Sequence, residues 1–154
     1  MGLFSKKQTK APPSLPEEQI VKVVEKFQKW VPDDFSKEIN GEIFTATELR
    51  LSIELLVRLS NLSQDEQLLV YVAKTCAGFG QSMKDETAES IAQWLFDGTV
   101  VNVELRQKYK DYPNALLSIT ALGLGVLSAV EKHPKYSDAL QYMSDNADKL
   151  ASNK

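Results

Sequence analysis

Cys76 and His133 are the only cysteine and the only histidine in this 154-residue chain, so any thiol–imidazole chemistry would have to use both. In such a pair the imidazole takes the thiol proton or holds it as the reactive thiolate. Cys76, however, lies in an apolar run where a thiol usually serves as inert packing. His133 stands before Pro134 at the end of a long segment, where a cation suits a helix C-terminus. The chain also lacks a Gly-x-Ser-x-Gly elbow, a His-Glu-x-x-His pair, a Cys-x-x-Cys and a phosphate loop. The expectation is a non-enzymatic protein with no catalytic residue, cofactor or metal ligand.

Two further patterns approach a site and fall short. Gly123-Leu124-Gly125-Val126-Leu127-Ser128 nearly spells a dinucleotide fingerprint, but Ser128 replaces the last glycine or alanine. Too few residues follow it for the helix and second strand that such a site needs. A packing role accounts for more, because Ala121, Gly125 and Ala129 recur every four residues and make one smooth helix face. Asp33, Asp34, Glu38, Asn40, Gly41, Glu42 and Ile43 resemble a calcium loop in composition. With Gly41 at the sixth place, Ser36 becomes first and Thr47 twelfth, where a bidentate glutamate is required. The segment therefore reads as a solvated turn.

Charge and composition bound the partners. The net charge is −3, but Lys6, Lys7 and Lys10 precede the first acid, leaving 15 cations against 21 acids over residues 14–154. An acidic body repels phosphate backbones, so nucleic acid is disfavoured. A single cysteine suits a reducing cytoplasm. The N-terminus carries neither the apolar core of a secretory peptide nor the spacing of a myristoylation signal. Residues 1–13 are expected to form a flexible basic lead-in, and residues 14–152 a single helical domain.

Seven glycines and six prolines leave long segments with helical periodicity. Ser14-Leu15-Pro16-Glu17 reads as a capping box before Ile20, Val24, Phe27 and Val31, with a stop at Pro32. Asn40-Gly41 favours a tight turn or minimal hairpin within 36–45. Thr45 to Glu48 opens a helix whose stripe of Leu49, Ile53, Leu56 and Leu59 is widened by Leu51, Leu55 and Val57, predicting deep burial. Ser63 to Glu66 reads as another capping box, before an apolar run from Leu68 that Gly78 and Gly80 should end. Helices from about Thr87 to Phe96 and from Val100 to Tyr109 flank an Asp97-Gly98 stop.

Tyr112 to Val130 is nineteen residues without a charge. Its polar residues and amphipathic neighbours favour a central core helix at about 112–131 over a membrane span. A last amphipathic helix carries Leu140, Met143, Ala147 and Leu150. The predicted fold is all-α, a bundle of six or seven helices around that uncharged centre.

Two function classes compete for residues 87–111. A helix-turn-helix would place Asn102, Arg106, Gln107, Lys108 and Lys110 on the helix that enters a major groove. Against it stand Asp85, Glu86, Glu89, Asp97 and Glu104, with no cation between 85 and 105. The favoured class is a protein-binding module: an adaptor, secretion-type chaperone, inhibitor or immunity protein. Ala88, Ile91, Ala92 and Leu95 form one stripe there, and Trp94 and Phe96 fall on its opposite edges. The expected partner site is therefore Trp94, Phe96, Glu89 and Asp97, facing a basic or mixed basic and apolar protein surface or a second copy of this chain.

Overall fold

Pro16, the N-cap, is followed by α1 (Glu17–Gln28), β1 (Ser36–Ile39), β2 (Glu42–Thr45), α2 (Ala46–Ser63), α3 (Glu66–Gln81), α4 (Ala88–Lys108), α5 (Pro113–Glu131), α6 (Tyr136–Asp145) and α7 (Ala147–Ser152). The computed structural model describes residues 15–81 and 86–152. The basic lead-in and the Ser14 cap lie outside the described residues. The architecture is an all-α bundle with one two-stranded ribbon, and 76% of it is helix.

Local chemistry explains the clearest boundaries. Asn40 (φ 52°) and Gly41 (φ 85°) both take the left-handed region, which closes the antiparallel ribbon with Ser36 opposite Thr45. Thr45 then caps α2: its side chain accepts from the Glu48 amide, and Glu48 Oε1 accepts from the Thr45 amide at 3.0 Å. Thr87 caps α4 through the Ser90 amide at 3.1 Å. Pro113 opens α5, where a missing N–H costs nothing.

α5 packs against α2, α3 and α4, which makes the uncharged helix the centre of the bundle. By length and composition alone it could cross a membrane. Two apolar clusters share it. The larger joins α1, α2 and α3 to the second half of α4 and the first half of α5, around Leu49, Ile53, Leu56, Leu68, Leu105 and Ile119. The smaller joins Ile91, Ala92 and Leu95 of α4 to Val126 and Val130 of α5, Ala139 of α6 and Leu150 of α7.

Several boundaries differ from the sequence reading. α1 ends at Gln28, because Pro32 biases the residue before it away from helix; Val31 is nevertheless buried. Ser63 is not a cap: its hydroxyl donates back to the Leu59 carbonyl in the last turn of α2. Gln64 takes the left-handed region (φ 57°), and Asp65 caps α3 by accepting from the Leu68 amide. Gly78 and Gly80 do not end α3, which runs to Gln81. Leu51 and Leu55 point outward, because α2 carries more leucines than its one packed face can bury. Gly98 lies inside α4, the last helix divides at Asn146 into α6 and α7, and Leu140 is exposed.

Candidate functional site

The turn of a helix-turn-helix is missing, since α4 runs unbroken from Ala88 to Lys108. Both flanks are anchored: Ile91, Ala92 and Leu95 are held in the smaller cluster, Leu105 and Tyr109 in the larger. Gly98 sits between those anchors at the joint of the two clusters. A Cβ added there would meet nothing within 4 Å, so the glycine marks open space beside the helix rather than a close contact.

That space is two clefts, one on each side of α4. The first, about 350 Å³, lies between α3 and α4. Val70, Tyr71 and Thr75 line it from α3; Trp94, Gly98 and Val101 line it from α4. The second, about 410 Å³, lies between α4 and α5, beneath Thr99 and Asn102 and above Thr120 and Leu124. Tyr71, Gly98 and Val126 border both.

A polar cluster forms the partition. Asn102 Nδ2 donates to the Tyr71 hydroxyl at 2.7 Å and to the Ile119 carbonyl at 3.0 Å, and Tyr71 donates to the same carbonyl at 3.0 Å. Burial pushes the Tyr71 phenol above its usual range, so it stays protonated and able to donate. Gly123 admits this contact, because a Cβ there would lie 2.7 Å from Asn102 Nδ2. Gly125 leaves room for the Phe79 ring in the same way. The near-fingerprint of α5 is therefore a pair of packing sites, each receiving a side chain from a neighbouring helix.

The first cleft has an acidic rim. Glu66 and Asp97 line it, and Gln67, which also lines it, donates to Glu104 Oε1 at 3.1 Å. Lys74 is the one cation among its lining residues. Its wall is the Trp94 indole, whose outer edge lies over Gly78, 2.7 Å from where a Cβ would stand. The arrangement can take an apolar side chain of a partner and place neighbouring cations against carboxylates.

The four predicted site residues separate. Trp94 and Asp97 line this cleft, with Trp94 only partly buried. Phe96 packs partly into the smaller cluster with Tyr136, Tyr142 and Met143, and Glu89 is exposed in the first turn of α4. Sequence reasoning missed Glu66, Val70 and Val101. They are far apart in the chain, and only the approach of α3 to α4 brings them together.

Other chemistry-bearing groups are occupied. Cys76 is fully buried, and burial pushes its thiol up to about 12. His133 is buried and accepts the Lys135 amide at Nδ1, 3.0 Å away. Asp65 is also buried; burial alone would raise its carboxyl, but Lys108 Nζ at 2.6 Å, Tyr109 Oη at 2.7 Å and the Leu68 amide outweigh that and hold it below the usual range. Its oxygens are spent on locking the start of α3 to the end of α4.

Fold and site together define a helical bundle with an apolar, acid-rimmed cleft. In comparisons with protein-family models, curated proteins and solved structures, the chain matches none.

Proposed function

We propose that this protein is a non-enzymatic binding module that grips another protein through the cleft between α3 and α4. The observation that carries the reading is the pairing of a half-buried indole wall with the carboxylates of Glu66 and Asp97 on one cavity of about 350 Å³. That volume lies at the small end of ligand pockets and suits one or two apolar side chains. An aromatic wall in a water-excluding cleft is the usual setting of an interface hot spot. The carboxylates select for lysine or arginine beside the inserted side chain, through on-rate and register more than raw affinity. The fitting partner is thus a segment with an apolar anchor flanked by cations. The same surface chemistry accommodates an adaptor, chaperone, inhibitor or immunity protein, acting in the cytoplasm.

The test is a photo-crosslinking side chain at Val70, which is half exposed at the cleft mouth. In cells of the native host it should give an adduct whose linked residue, located by mass spectrometry, is apolar and flanked by Lys or Arg. Gly98→Phe, which fills the cleft, and Asp97→Lys should each abolish the adduct without lowering the melting temperature. An adduct indifferent to both substitutions would refute this site.

A further inference from the structure

The chemistry that the cleft asks for, an apolar anchor beside cations, occurs in this chain itself. Leu3 and Phe4 are followed by Lys6, Lys7 and Lys10, with no acid before Glu17. The described chain begins beside the acid-rimmed end of α3. The Leu15 amide donates to Asn61 Oδ1 at 3.0 Å, and Leu15 borders a surface cleft that also includes Glu66. Glu66 in turn lines the cleft between α3 and α4. The route from Leu15 to the candidate site therefore runs past a carboxylate common to both.

Distance permits the contact. Leu15 lies eleven residue steps beyond Phe4, and an extended chain covers about 36 Å over that number of steps. From Glu66 to Thr75, the far wall contributed by α3, the rise along the helix is only about 14 Å. Tethering also favours it: a short linker holds a ligand at an effective concentration on the order of millimolar, so a weak contact suffices.

We propose that the N-terminal segment is an internal ligand of this cleft, with Leu3 and Phe4 entered between α3 and α4 and Lys6 and Lys7 against Glu66, Glu104 and Asp97. The inference rests on the proposed binding role of the cleft and adds its regulation. A partner would have to displace the segment, and any charge change at the lysines would alter access.

The experiment uses the full ¹⁵N-labelled chain with a nitroxide on Ser5→Cys. Cys76 can remain, because its buried thiol does not compete for the label. The expected result is selective loss of amide signal at Val70, Gly98 and Val101, restored by Phe4→Ser and weakened by salt, which screens exposed charge pairs. Uniform loss, no loss, or loss on another face overturns the proposal. The same loss in a mixture of spin-labelled ¹⁴N protein with nitroxide-free ¹⁵N protein also overturns it, in favour of a second copy. A synthetic peptide of residues 1–13, added at millimolar concentration to full-length Phe4→Ser, separates the two claims. If it shifts the cleft amides while the tethered segment does not, the cleft binds such sequences and only the internal docking is wrong.

Discussion

The two apolar clusters solve the same burial problem with different completeness. The larger is built from helices that enclose one another, and Leu49, Ile53, Leu56, Leu68, Val72 and Ile119 are fully buried within it. The smaller rests on four short stretches; Ile91, Val130 and Leu150 are fully buried in it, but its aromatic side chains Trp94, Phe96, Tyr136 and Tyr142 are only partly covered. α4 and α5 run through both. The clefts open where one cluster gives way to the other, at Gly98 and Val126, because neither set of side chains extends across the joint. Incomplete packing is placed between two anchored regions, where an open space can persist without loosening either helix.

The contrast makes quantitative expectations. Leu56→Ala should cost about 2 to 5 kcal/mol in thermal or denaturant unfolding, since an enclosed site relaxes little around the lost atoms. Leu150→Ala should instead speed hydrogen exchange in α6 and α7 while leaving protection in α2 and α3 unchanged. If both variants lower stability equally and exchange rises everywhere, the clusters are one cooperative unit and the contrast fails.

Gly125→Leu tests the close contact with Phe79 and should cost about 1 to 3 kcal/mol by overpacking. Retained stability would mean that the ring moves aside and that this helix contact is loose like the joint. Asp65→Asn should cost about 1 to 2 kcal/mol near neutral pH through its charged partners. The sign follows from a carboxyl held below its ordinary range in the folded state. Its contribution is full above the unfolded value and disappears as pH falls through the folded one. Acid titration of stability should therefore be shallower in the variant than in the parent chain.

The smallest effect has the opposite sign. Gly98→Ala should raise stability by about 0.5 to 1 kcal/mol, because the space beside it is open and glycine is a poor helix former. A loss of stability on this substitution would show that the joint is packed, and the cleft with it would be in doubt.

Much of the fold was legible locally. Apolar residues at helical spacing, the Thr45–Glu48 capping box, the Asn40-Gly41 turn and the uncharged stretch from Tyr112 each express an interaction between near neighbours in the chain. So do the buried stripes Ile20–Val24–Phe27 and Ile91–Ala92–Leu95. The periodicity of α4 also placed Trp94 and Phe96 at the edges of its stripe, but only Trp94 of the two lines the cleft.

What the sequence by itself determined was therefore the helical class, the central helix and the inward face of most segments, because backbone preference and periodic burial act over one or two turns. Tertiary structure alone decided which breakers break. Gly98 costs α4 only about 1 kcal/mol of helix propensity, and the anchored flanks on either side outweigh it. It also decided which leucines of α2 stay outside, since a helix touches its neighbours on a limited arc. The cleft is entirely of that second kind. It exists because α3 and α4 approach across Gly78 and Trp94 and then leave Gly98 uncovered, a relation between distant residues that no local pattern encodes.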